Sequence, residues 1–281
     1  MTETVLVTGA TGTVGSALRA ELVDYDAVVR ATAQSPPGDG PADEWVTFDF
    51  EKPETWGAAL AAVDALFLLR PPEASRVGRL REFVDAAARV GVERCTVLSV
   101  LGADRNPLLP HRRVERHVAA SGLDWTFLRP SFFTQNLTEV HGESLRAGEI
   151  AVPAGDGETS FVDARDVGAV AARTLTDPGH AGTACDLTGP EALTYSEVAA
   201  VASDVLGYPV EYTDPSLPRF VVGELRHGRP LGYALVMSGL YTTARLGLAG
   251  RVTDDVGRVL GRDPRDVRTF FEDYAGELGQ D

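Results

Sequence analysis

The sequence predicts an α/β protein: a doubly wound parallel-sheet fold with a smaller, mostly helical lobe toward the carboxyl end. Three observations carry the prediction. Short apolar or β-branched runs alternate with helix-spaced segments through the first two-thirds of the 281 residues. The links between them are short, as βαβ units require. A glycine-rich turn, Gly9 to Gly15, directly follows the first run and precedes a helical pattern. We place the sheet core at 1–189, with 131–160 contributing to a substrate cleft, and a small substrate-binding lobe at 190–281.

The elements follow in order. Thr4 to Thr8 is a β-branched run, and a helical pattern extends from Val14 to about Val23. Ala27 to Ala33 and Trp45 to Phe50 read as the second and third strands, and Pro53 opens a short helix at the first-turn position that proline tolerates. Asp64 to Leu69 is a continuous apolar strand, as expected for a sheet covered on both faces. Val77, Leu80, Val84, Ala87 and Ala88 keep helical spacing, with Gly91 as the stop. Arg94 to Val100 is the next strand. Val114, Val118 and Ser121 share a helix face ended by Gly122, and Trp125 to Arg129 is the sixth strand. Val152 to Thr159 reads as a hairpin or loop. A helix over Ala164 to Leu175 and a strand at Cys185 to Leu187 return to the sheet. Thr194 and Glu197 fit a capping box before a helix to Leu206. The rest is mostly helical, with an amphipathic, Gly-rich stretch at Leu231 to Leu248.

Composition removes several classes of function. A formal charge of −15 disfavours nucleic acids and anionic membranes as partners, since both require a basic face. No apolar run approaches the roughly 20 residues of a membrane span. The amino terminus lacks a secretory signal, so a cytoplasmic location is expected. Cys95 and Cys185 lie in strand-like segments with no CxxC partner, and the histidines are scattered, so no metal is expected. Lys52 is the only lysine among 26 basic residues. A GC-rich genome and a salt-adapted cytosol both account for this acidic, arginine-rich balance. A small-molecule acceptor is the expected partner, and a homodimer is compatible with the chain.

The strongest motif is Gly9-Ala10-Thr11-Gly12-Thr13-Val14-Gly15, a GxxGxxG turn. One glycine permits the tight turn, one lets the backbone approach a pyrophosphate, and Gly15 lets the helix pack on the strand. Helix-start amides then face the phosphates. This is the arrangement of a Rossmann dinucleotide site, with Gly9, Thr11, Gly12, Thr13, Val14 and Gly15 as contacts. The end of the second strand should read the adenosine ribose. Gln34, 19 residues beyond Gly15, occupies that slot, and no acid stands there to favour NAD. NADP is therefore the preferred reading, with NAD as the alternative. Asp49 and Phe50 are candidates to border the adenine, although an acid at a strand end is also a turn former.

Several segments together resemble the NmrA-like, atypical short-chain dehydrogenase/reductase family. They are VLVTGATGTVG, ERHVAASGLDWTFLRPSFFTQN from Glu115 to Asn136, FVDARDVGAVA from Phe161 to Ala171, and DLTGPEALTYSEVA from Asp186 to Ala199. Within the family the chain is most similar to bacterial quinone, azo-dye and triphenylmethane-dye reductases. The family also includes catalytically silent redox sensors. Related short-chain reductases place a serine at the end of the fifth strand, followed by a YxxxK pair. By that resemblance Ser99 holds the serine position, whereas His111 replaces the lysine and Pro107 the tyrosine.

The missing pair bears on the chemistry. Hydride addition to a ketone leaves an alkoxide, whose conjugate acid is about as weak as water. Addition to a quinone leaves a phenolate, with a conjugate acid near 10. The difference is on the order of 7 kcal/mol. A site without a positioned acid should therefore favour an electron-poor acceptor. His111 and Ser99 are the catalytic candidates, and Leu69, Arg70 and Ser99 the candidates beside the nicotinamide. Phe132 and Asn136 are candidates for substrate contact, with Pro71, Gly102 and Ser131 nearby. The expected function is an NAD(P)H-dependent oxidoreductase passing hydride directly to a quinone-like acceptor. The alternative is a non-catalytic NAD(P)-sensing regulator that binds a protein partner. A sugar-nucleotide epimerase is disfavoured, because it needs the tyrosine.

Overall fold

The structure, a computed structural model, describes residues 2–36, 44–70 and 77–279. Along the chain its elements are β1 (Glu3–Val7), α1 (Thr13–Leu22), β2 (Ala27–Ala33), β3 (Glu44–Thr47), α2 (Trp56–Leu60), β4 (Ala65–Leu69), α3 (Val77–Arg89), β5 (Arg94–Leu98) and α4 (Pro110–Ala119). Next come β6 (Asp124–Pro130), β7 (Phe132–Phe133), α5 (Asn136–Glu139), α6 (Gly142–Arg146), β8 (Glu149–Ala151), β9 (Phe161–Val162), α7 (Ala164–Thr176) and β10 (Thr183–Leu187). The chain ends with α8 (Tyr195–Leu206), β11 (Glu211–Thr213), α9 (Leu217–Arg226), α10 (Leu231–Arg245), α11 (Asp255–Leu260) and α12 (Val267–Leu278).

These elements form two compact units. The first comprises Met1–Pro130, Ala164–Leu187 and Asp255–Arg262, and the second Ser131–Asp163, Thr188–Asp254 and Asp263–Asp281. The sequence suggests one passage near residue 189, whereas the chain crosses between the units repeatedly. The reason is that α7, β10 and α11 complete the sheet layer of the first unit, while the stretch between β6 and α7 contributes to the core of the second.

The first unit is a seven-stranded sheet in the order β10-β6-β5-β4-β1-β2-β3, with all pairs parallel. The chain runs outward from β1 through β2 and β3, then returns to β4 on the other side of β1. That reversal makes the β1/β4 junction a topological switch point, where ligands of open α/β sheets bind. Val5, Leu6 and Val7 in β1 and Leu66, Phe67 and Leu68 in β4 are fully buried, as strands covered on both faces must be. Helix α1 lies against α7 so closely that a Cβ on Gly168 would come within 2.8 Å of the Ala17 backbone. This contact fixes α1, and with it the turn at its start. The third strand stops at Thr47. Phe48 and Phe50 continue beyond it as core residues, their rings edge-on with centroids 4.7 Å apart.

The second unit has its own core, built on Leu137, Ile150, Phe161, Tyr195, Tyr241, Phe270 and neighbours. Two small parallel pairs, β7 with β9 and β8 with β11, hold its irregular segments. The capping box at α8 is present: Thr194 Oγ1 accepts from the Glu197 N–H at 3.2 Å, and Glu197 Oε2 accepts from the Thr194 N–H at 2.8 Å. Such a cap contributes about 1 kcal/mol. The Val152 to Thr159 stretch is a loop.

Candidate active site

Thr8 ties the switch point together. Its hydroxyl donates to the Phe67 carbonyl at 2.8 Å and accepts from the Leu69 N–H at 2.9 Å, locking the ends of β1 and β4 side by side. The chain then turns at Gly9, whose φ of +65° is left-handed. A Cβ there would also lie 2.6 Å from Leu69 Cδ2, so both conformation and space demand glycine. The Gly12 N–H closes the turn onto the Gly9 carbonyl at 3.0 Å. Gly12 caps α1, and the first helical bond runs from the Ser16 N–H to the Gly12 carbonyl at 2.8 Å. The Val14 and Gly15 amides precede that bond and lie in the anion-binding position of a helix start. Thr11 and Gly12 are exposed at the tip. A Cβ on Gly12 would meet only the Gly9 oxygen, at 3.4 Å, whereas on Gly15 it would fall 2.1 Å from that oxygen. Gly12 thus keeps the approach to the turn clear, and Gly15 permits the turn itself. A dinucleotide pyrophosphate fits this cradle.

Gln34 is exposed, just past the end of β2. Asp49 is occupied in a turn: its Oδ1 accepts from the Glu51 N–H at 2.9 Å, and its carbonyl accepts from Trp56 Nε1 at 3.1 Å. The Phe50 ring is turned into the core, edge-on to Phe48 and Phe83. Pro71 lies outside the described residues.

On the other side of the switch point, Ser99 follows β5. Its hydroxyl donates to Glu115 Oε1 at 2.7 Å. Glu115 is fully buried in α4 and also accepts from Arg129 Nε at 2.8 Å, Arg129 Nη2 at 3.0 Å and Arg112 Nη1 at 3.1 Å. Burial opposes its ionised form, but the hydrogen bonds from Arg129 and Ser99 and the Arg129 charge outweigh that and hold its carboxyl below the usual range. Arg129 also lies 3.8 Å from Asp186 and 4.0 Å from Asp104. From sequence Arg129 is only the end of a strand; its fork-to-fork pairing with Glu115 is not legible there.

His111, in the first turn of α4, lines a crevice with Leu68, Arg70, Leu98, Ser99 and Val114 that is too narrow for a water molecule. Burial lowers the histidine from its ordinary value, and the Arg70 charge lowers it further against the opposing pull of Glu115. Its Nδ1 is buried without a hydrogen-bond partner. The structure therefore brings Arg70, Ser99 and His111 together beside the end of β4, with Leu69 packed on Gly9.

The substrate candidates Phe132 and Asn136 belong to the second unit. Phe132 is edge-on to Phe161 at 5.8 Å and tilted against Tyr241 at 6.0 Å. Asn136 opens α5, and its carbonyl accepts from the Val140 and His141 N–H groups. Ser131 donates to the Ser160 carbonyl. Gln135 Nε2 donates to Asp163 Oδ1 at 2.8 Å, so Asp163 holds a loop and Asp166 pairs with Arg262 at 2.8 Å. A cleft of about 830 Å³ within this unit is bordered by His141, Arg219, Glu224 and Arg229, among others; neither Phe132 nor Asn136 lines it. Among the described residues no cluster of His, Cys, Asp or Glu could hold a metal. Burial pushes the Cys95 thiol up to about 12 and the Cys185 thiol to about 11, which leaves both inert.

Comparison with known proteins agrees with this geometry. Residues 9–178 match the model of an NAD(P)H-binding family. The chain is 34% identical to an NAD(P)H azoreductase of Xenophilus azovorans, over 98% of this chain and 99% of that one. It is 30% identical to quinone oxidoreductase 2 of Escherichia coli, covering 82% of this chain and 84% of the other. Among solved structures, the triphenylmethane reductase of Citrobacter sp. complexed with NADP(H) superposes with a TM-score of 0.84 at 23% identity, over 98% of this chain and 100% of that one.

Proposed function

The chain belongs to the NAD(P)H-binding family, in its NmrA-like branch of atypical short-chain dehydrogenase/reductases, and from that premise we propose an NAD(P)H-dependent reductase acting on quinone-like or other electron-poor acceptors. The observation that carries the reading is the glycine turn at the switch point, with its cleared approach at Gly12 and helix-start amides at Val14 and Gly15. NADP(H) is the cofactor, with NAD(H) as the alternative. When bound, it supplies the hydride.

The protein's own residues bind, orient and stabilise. The turn and the start of α1 hold the pyrophosphate. Ser99 acts as a positioning residue: its proton is committed to Glu115, so it offers only lone pairs to a ligand. His111 is held uncharged near neutral pH, so it can donate a hydrogen bond but is a poor source of a proton. Phe132 and Asn136 are our candidates for touching the acceptor. The assignment of small-molecule substrates goes with a cytoplasmic setting. No helix among the described residues is long and apolar enough to cross a membrane.

The test is steady-state oxidation of NADPH against a panel of quinones and simple ketones. Sustained turnover with quinones, and negligible turnover with aliphatic ketones, is expected. His111→Ala should lower quinone reduction about tenfold or less, below the roughly 10² to 10⁴-fold of a removed acid–base catalyst. Efficient ketone reduction, or collapse of activity in the histidine variant, would show that an acid catalyst operates. The absence of the Tyr-Lys pair also suits a second reading, a dinucleotide sensor; tight NADPH binding without turnover of any acceptor would select it.

A further inference from the structure

We propose that Arg19, stacked on Trp45, recognises a phosphate monoester on the adenosine ribose and thereby sets a preference for NADPH over NADH. The proposal rests on the dinucleotide-binding reading of the glycine turn and goes beyond it by assigning the residue that selects the cofactor.

Arg19 lies on α1, about one turn past Gly15, and is only 7% exposed. Its Nη1 donates to the Ala10 carbonyl at 3.3 Å, which fixes the guanidinium beside the glycine turn. Its guanidinium carbon stands 4.6 Å from the centroid of the Trp45 ring. Arg19 Nε, Arg19 Nη2 and Trp45 Nε1 are all buried without a hydrogen-bond partner. Every spare group in this stacked pair is an N–H donor, and one of the pair carries a positive charge. Buried donors left unmade are costly and rare in folded proteins. A set consisting of donors alone calls for an acceptor from outside the chain, and the charge calls for an anion.

The location says which anion. Ala10 directly follows Gly9, and Trp45 in β3 pairs with Ala31 in β2. The pair therefore bridges the glycine turn and the strand beyond β2, the region where a dinucleotide fold holds the adenosine ribose. Other cations there are absent or engaged. No lysine or arginine occurs between Ala31 and Glu51. Arg30 points elsewhere: its Nε donates to Glu44 Oε2 at 2.8 Å, and its Nη1 to the Ala59 and Ala61 carbonyls. Lys52 is largely exposed, 3.9 Å from Asp49. An arginine fork suits a phosphate better than a lysine point charge does.

The experiment is calorimetric titration of the parent protein, Arg19→Met and Arg19→Lys with NADPH and NADH, and of the parent with adenosine 2′-monophosphate and 5′-monophosphate. The parent should prefer NADPH and the 2′-monophosphate. Arg19→Met, which keeps the length and the contact with Trp45, should weaken NADPH by about 10 to 100-fold and leave NADH within about threefold. Arg19→Lys should recover part of the preference. Equal loss for both cofactors, no loss for either, or a parent that does not distinguish the two monophosphates would overturn the proposal. Should Arg19→Met fail to fold, the lysine variant and the monophosphate titrations decide. A parent that binds neither dinucleotide would instead sink the cofactor reading itself.

Discussion

Acid should destabilise this protein through one buried histidine. His141, between α5 and α6, is 6% exposed, and its Nε2 lies 2.7 Å from the hydroxyl of Tyr241, itself 1% exposed. Burial, with the charge of Arg229 adding to it, depresses the histidine to about 4. Burial also raises Tyr241 well above its ordinary value, so both partners of this hydrogen bond are neutral, the donor being set by the imidazole tautomer. In the unfolded chain the same histidine takes a proton near pH 6.5. As pH falls below 6.5 the unfolded state binds a proton that the folded state refuses until about pH 4. Stability is therefore fully present above pH 6.5, is lost through that window, and loses no more below about pH 4 from this group. The gap corresponds to roughly 3 kcal/mol, most of it spent by pH 4.5. His141→Gln keeps a hydrogen-bond partner for the phenol but cannot charge. Urea denaturation at pH 7.5 and pH 4.5 should show the parent losing roughly 2 to 3 kcal/mol more than the variant over that interval, since the carboxylates titrate alike in both. Parallel losses would refute the argument, because they would mean that the imidazole accepts its proton as easily inside the fold as outside.

Four further outcomes are expected. Gly12→Val should fold with an unchanged melting temperature yet lose NADPH binding by calorimetry, because its Cβ meets only the Gly9 oxygen at 3.4 Å while the side chain fills the approach. Gly15→Val should instead lower the melting temperature sharply, since its Cβ would fall 2.1 Å from the same oxygen; equal behaviour of the two variants would contradict the roles given to the turn. Glu115→Gln leaves Arg129 facing a neutral amide in a buried setting and should cost about 3 kcal/mol in a urea titration, with a loss under 1 kcal/mol counting against a central role for the pair. If the net charge of −15 is a salt adaptation, the melting temperature should rise by many degrees between dilute and molar KCl, whereas a flat profile favours genome composition as its origin.

The sheet was legible because each of its signals is local. Five consecutive apolar residues at Ala65–Leu69, or Leu80, Phe83, Val84 and Ala87 at helical spacing, declare themselves without reference to the rest of the chain. The glycine turn was legible for the same reason. What sequence could not show depends on contacts made across it. Arg19 reads as an ordinary polar residue on a helix, and only the fold brings Trp45, 26 positions later, against its guanidinium. His141 and Tyr241 stand 100 residues apart, and nothing near either announces the pair. The two units escape a linear reading because strands and helices that adjoin in the chain serve different cores, as β6 and β7 do. Phe50 shows a packing role that its place at a strand end did not announce: its ring lies edge-on to Phe48 and Phe83 in the core.

The groups gathered beside β4 say what kind of product the proposed reductase can accommodate. A ketone would deliver an alkoxide, which needs a proton at once. Ser99 cannot give one, because its hydrogen is held by a carboxylate that is itself kept ionised by Arg129. His111 is not charged when it would need to be, since burial and the Arg70 charge both work against its protonation. Those same causes have a second effect. They place a guanidinium charge beside a neutral imidazole near the end of β4, and on the proposed reading that charge would stabilise an anion forming there. A phenolate requires no more than that, because it can wait for its proton until it reaches solvent. On the proposed reading, having Pro107 and His111 where related reductases carry tyrosine and lysine would shift the site from delivering a proton to tolerating a charge. The proposed preference for electron-poor acceptors would then follow from the residues that remain.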